Sequence, residues 1–191
     1  MATSKVDICN RALQKLGAKR ITSLSEASVS ARAMNTAYEP VKKSLLRSYL
    51  WSFALERAEL AAEATEPDWG RANSFPLPSD FLRLAPDYNE DVRNDRDWEI
   101  EGTNILSDDS SPIYIRYVKD VTDPTKFDAL FCEALSTKLA LECCEELTQS
   151  NTKKADLKED FRMTIVEARR CSAIEKPPRV SAPDTYLTCR S

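Results

Sequence analysis

The chain has 191 residues, 42% hydrophobic and 30% charged, a balance that suits a globular protein with a core of its own. Its formal net charge is −4, with 27 basic residues scattered among 31 acidic ones, so it lacks the basic stripe that marks a dedicated nucleic-acid surface. Histidine is absent and glycine occurs three times, which removes histidine-dependent triads, the commonest metal ligand and any glycine-rich phosphate loop. The start, Met-Ala-Thr-Ser-Lys, leads into an amphipathic segment rather than an apolar leader, and no apolar run reaches membrane-spanning length. Cys9, Cys132, Cys143, Cys144, Cys171 and Cys189 form no C-x-x-C pair. They are expected to be reduced and intracellular, acting as small apolar residues.

Residues 4–16 read as the first helix. Ser4 with Asp7 three residues on resembles a capping box, and Val6, Cys9, Ala12, Leu13 and Leu16 form the apolar stripe. Gly17 is placed to end the helix in a left-handed cap. Ile21 and Leu24, in the connection that follows, are expected to tuck against the bundle. The second helix is predicted over 28–48, with Met34, Ala37, Tyr38, Val41 and Leu45 on one face and Lys42, Lys43 and Arg47 on the other. Pro40 falls inside it and removes the bond to the Thr36 carbonyl, at about 3 kcal/mol. A kink rather than a break is expected, because the stripe keeps its phase.

Helical periodicity fades at Tyr49, where Tyr49, Trp51 and Phe53 alternate with Leu50, Ser52 and Ala54. Residues 51–122 hold all three tryptophans and two of the three glycines, in short segments. Strands are expected over 58–63, around the turn at Ser79-Asp80 in 74–84, and over 113–118. The strongest hairpin pattern is 98–106 with its turn at Gly102, and 87–97 reads as an acidic exposed loop. The longest convincing helix follows, over 123–147. Phe127, Phe131, Leu135, Leu139, Cys143 and Leu147 recur every fourth residue, and Leu130, Ala134 and Leu141 widen the stripe. Asp123 is its expected cap and Pro124 its first residue. So wide a face suits a helix at the centre of a bundle, or one that meets its own bundle on one side and a neighbouring subunit on the other.

A fourth helix is predicted over 152–173, capped by Asn151. Leu157, Phe161, Ile165 and Ala168 point inward, and Lys153, Lys154, Lys158 and Arg162 form a solvated face. In 176–191 Pro177, Pro178 and Pro183 forbid regular helix, and Val180, Tyr186 and Leu187 are spaced apolar anchors. Composition leaves a frayed end and a docking arm both open. The expected fold class is therefore α+β. It is mainly a bundle of about four helices, built from 1–50 and 123–175, with a β-rich insertion over 51–122 and an extended C-terminal arm over 176–191.

The order of motifs resembles a known family. DICNRALQKLG is followed by YEPVKKSLLRSYLWSFAL, FPLPSDFLRL, WEIEGTNIL, IYIRYVKDVTDPTKFDALFCEALSTKLA and IVEARR. Together, over about residues 5–175, they resemble the tail tubular protein A family, the head-to-tail adaptors of short-tailed bacteriophages. The resemblance implies a virion protein of the tail neck, made in the host bacterial cytoplasm. It implies a ring of twelve copies that joins the portal to the tail nozzle and lines the channel for genomic DNA, with no membrane partner. It makes 176–191 an arm toward the portal, with Pro177, Pro178, Val180, Tyr186 and Leu187 as candidate portal-binding residues. Phe127, Leu130, Phe131 and Leu141 are the candidate subunit-interface residues, on the wide face of the central helix. Where members of the family often carry His-Pro-Trp-x-Phe, this chain has Tyr49-Leu50-Trp51-Ser52-Phe53, and its insertion has few glycines.

No catalytic, cofactor-binding or metal-binding residues are identified, and no cofactor is expected. Two rival readings stand beside the adaptor. A tail-associated glycan or peptide hydrolase would use carboxylates such as Glu142, Glu145 and Glu146, which otherwise read as a charged helix surface. A small DNA-binding protein would use Lys42, Lys43 and Arg47.

Overall fold

A capping side chain opens every α-helix of the computed structural model, which describes residues 4–85 and 97–175. At α1 (Lys5–Leu16) the Asp7 N–H donates to Ser4 Oγ at 3.1 Å, and the Ser4 N–H donates back to the Asp7 carboxylate at 3.0 Å. The helix ends at Gly17, whose φ of 70° is the left-handed conformation that glycine adopts without a Cβ penalty. Ser28 caps α2 (Val29–Ser48), which runs unbroken through Pro40. The Thr36 carbonyl that loses its partner there belongs to an exposed residue, so water can replace the bond.

Two helix starts differ from expectation. Asp123 and Pro124 open only a 3₁₀ turn, Pro124–Lys126. The α-helix α3 (Ala129–Thr148) begins after Asp128, whose carboxylate accepts from the Leu130 and Phe131 N–H groups. Phe127 lies between the two with extended backbone, which turns its ring into the core. The cap of α4 (Asn151–Ile174) is Ser150, not Asn151.

The β-rich insertion forms two three-stranded antiparallel sheets. The first has the order β1 (Leu55–Leu60), β6 (Ile113–Lys119), β3 (Phe81–Leu84). The second has the order β2 (Asn73–Pro76), β5 (Asn104–Ser107), β4 (Glu99–Glu101). The expected strand at 58–63 starts three residues earlier, after a 3₁₀ turn at Ser52–Ala54, because the aromatic run from Tyr49 is held by the bundle and releases the chain at Leu55. The hairpin turn is Gly102-Thr103, closed by the Glu101–Asn104 pair, with positive φ at Gly102 alone.

Two cores result. The larger one joins all four helices. α3 packs on α1, α2 and α4 at once, and Phe131, Leu135, Leu139 and Cys144 on it are fully or almost fully buried. The smaller one lies between the sheets and holds Leu60, Phe75, Ile105, Ile113, Ile115 and Tyr117. Strand β6 belongs to both. Ile113, Ile115 and Tyr117 face the second sheet, while Val118 joins the helical core. Among the described residues the fold is thus α+β, with four α-helices and a small β-rich unit.

Candidate interaction surfaces

The wide face of α3 is covered within the chain itself. Trp51, Phe53, Phe127 and Phe131 form one aromatic cluster with ring centroids 5.0–6.2 Å apart, mostly edge to face, and Trp51 donates its indole N–H to the Leu45 carbonyl at 3.0 Å. Of the expected subunit-interface residues, Phe131 has no exposed surface and Phe127 is buried, so neither offers a face to another copy. Leu130 and Leu141 are half-buried and pack against the same core. The face looked surplus in the sequence because three helices and the Trp51–Phe53 segment, not one partner helix, cover it. The portal-binding candidates Pro177, Pro178, Val180, Tyr186 and Leu187 lie outside the described residues.

The basic residues of the DNA-binding reading join the bundle to the first sheet. Lys42 is fully buried, not solvated, with its ammonium 2.7 Å from Glu39 and 2.9 Å from Asp120. These are ion-pair distances. Burial alone would lower the Lys42 pKa, but the carboxylates of Asp120 and Glu39 hold it above the usual lysine value. Lys43 reaches Asp120 at 3.4 Å, and Arg47 donates to the Leu82 carbonyl of β3. Lys5 of α1 closes the chain of charges on Glu39 at 2.8 Å.

The carboxylates of the hydrolase reading sit on an outer helix surface. Glu142, Glu145 and Glu146 are exposed on α3, and Glu145 pairs with Lys154 of α4 at 2.6 Å, which lowers its pKa. Burial pushes the Cys9 thiol up to about 12, and those of Cys132 and Cys143 to about 11, so these three behave as apolar core residues. Among the described residues no three histidine, cysteine, aspartate or glutamate side chains are grouped to hold a metal ion, and no helix is long and apolar enough to cross a membrane.

Exposed apolar residues occur at positions that the sequence pattern does not single out. On α4, Met163, Val166 and Ile174 are 67%, 61% and 73% exposed. They fall on one stripe opposite the inward residues Leu157, Ile165 and Ala168. The available signal was the cluster of apolar residues out of phase with the inward stripe in FRMTIVEARR. On the β unit, Trp69, Ile100 and Tyr114 are exposed, Trp69 by 87%. Trp69 and Ile100 line a groove of about 1210 Å³ between the 65–71 loop and the β4–β5 hairpin. Here the signal was an aromatic residue among turn-forming residues in Pro67-Asp68-Trp69-Gly70. No protein-family model matches the chain, and no curated protein matches it either.

Proposed function

We propose that the protein is a structural adaptor that works by binding, with copies of itself arranged as a ring that joins a bacteriophage portal to its tail nozzle around the DNA path. The observation that carries this reading is the apolar stripe Met163, Val166 and Ile174, exposed among the described residues on a helix whose opposite side packs on α3. In a head-to-tail ring every subunit buries one such patch against a different surface of the next. On this reading the contact between copies lies on α4 rather than on α3. The motif order supports the reading, and so does the α+β architecture. Mild net acidity suits a channel past which DNA slides without sticking.

Electron microscopy of the full chain with and without purified portal rings tests the proposal. Ring-shaped particles, free or seated on the portal, are the expected result. Monomers that neither self-associate nor bind portal would overturn it. Deleting residues 176–191 is expected to leave the helical circular-dichroism spectrum intact and weaken capture by the portal. Undiminished capture would remove the arm from the mechanism.

A further inference from the structure

The β2-β5-β4 sheet uses one face for the core between the sheets, where Phe75 pairs with Ile105. Strand alternation puts Ser74, Asn104 and Leu106 on the other face, which is the floor of the groove beside Trp69. The floor is pre-set. Ser74 Oγ and Asn104 Nδ2 donate to the same Glu63 oxygen at 2.9 and 2.8 Å, and Asn104 Nδ2 also reaches Ser74 Oγ at 2.7 Å. Its lining carries five carboxylates, Glu63, Glu66, Asp68, Glu99 and Glu101, against one guanidinium, Arg71. Arg71 is already engaged by Asp97, Glu99 and Asp108 at 2.6, 3.0 and 3.0 Å.

We propose that this groove is a docking site for an extended, arginine- or lysine-bearing peptide segment of a partner protein. Charge decides the class: the lining repels nucleic-acid phosphates and attracts cationic side chains. Size points the same way, since about 1210 Å³ exceeds the roughly 300–1,000 Å³ of small-molecule pockets and suits several residues of open chain. The exposed Trp69 indole offers a face on which a guanidinium can stack, with Glu66 and Asp68 in the same loop to neutralise it. The inference rests on the groove alone and stands apart from the ring reading.

The test is fluorescence anisotropy of a fluorescein-labelled octapeptide of alternating arginine and leucine, titrated with the full-length protein. Saturable binding is expected. Trp69→Ala, and separately the pair Glu66→Gln and Asp68→Asn, should each weaken it about tenfold. Glu142→Gln with Glu146→Gln removes the same two charges on α3, far from the groove in the fold, and should leave affinity within about twofold. The substituted residues are exposed, so unchanged melting temperatures are expected and are checked for each variant. Absence of saturable binding overturns the proposal. So does equal weakening by both charge pairs, which would show attraction to bulk charge only. Trp69-dependent binding of a neutral linear hexasaccharide in place of the peptide overturns it as well.

Discussion

An ammonium without exposed surface persists only where carboxylates replace its water, and Lys42 has two, one on its own helix and one beyond β6. Lys42→Ala would leave Asp120, whose side chain is 14% exposed, with Lys43 at 3.4 Å as its one remaining cation among the described residues. Breaking such a pair from one side is expected to cost about 3 kcal/mol, read as a lower urea midpoint. Lys42→Met combined with Asp120→Asn keeps the volume and removes both charges, so it should cost clearly less. The pH dependence has a definite sign. The folded pKa of Lys42 is raised, so its contribution is complete below the unfolded value of about 10.4 and is lost as pH rises through the folded value. The Glu39 pKa is lowered despite burial, because Lys42 and Lys5 hold the carboxylate charged. Its contribution is present above the ordinary 4.5 and is lost as pH falls. Wild-type melting temperatures should therefore drop at both ends, and the Lys42→Met, Asp120→Asn protein should lose most of the alkaline drop.

At the scale of elements, the start of α3 decides how the aromatic cluster closes. Asp128 accepts from two N–H groups of the first turn of a twenty-residue helix, whereas Asp123 holds only a 3₁₀ turn. Asp128→Ala is expected to lower stability by about 1 kcal/mol, and Asp123→Ala by less, in parallel urea melts. If neither variant shows a lower urea midpoint, Phe127 and Phe131 alone fix the entry of the chain. The same contrast explains what was legible beforehand. The ends of α1 were readable because Ser4, Asp7 and Gly17 act locally, within one helical turn. The β4–β5 hairpin was readable because a glycine between two alternating segments dictates its register. The α3 start was not, because Asp123-Pro124 and Asp128 are both sound caps and packing of Phe127 on the distant Phe53 chooses between them. The burial of Lys42, read only as part of the helix face opposite the apolar stripe, was not legible for a similar reason: its carboxylate partner Asp120 lies just beyond β6, seventy-eight residues along the chain.

At the scale of the whole molecule, the question is which apolar surface remains once the chain has folded. Its widest helical face, on α3, is closed by α1, α2, α4 and the Trp51–Phe53 segment, while the stripe on α4 is not closed by anything among the described residues. These two faces should therefore respond oppositely to substitution. Phe131→Ala removes a fully buried ring from the cluster and is expected to cost about 3–5 kcal/mol of stability, whether or not other copies are present. Met163→Glu with Val166→Glu places two charges where water already is, so the melting temperature of the isolated chain should barely move. In the proposed ring the same pair would bury unpaired carboxylates between subunits, at several kcal/mol for each contact. Native mass spectrometry and electron microscopy should then show the variant as folded monomers under conditions where the wild type forms rings, alone or on the portal. If the doubly charged protein assembles as well as the wild type, α4 is not where neighbouring copies meet, and the exposed stripe has another use.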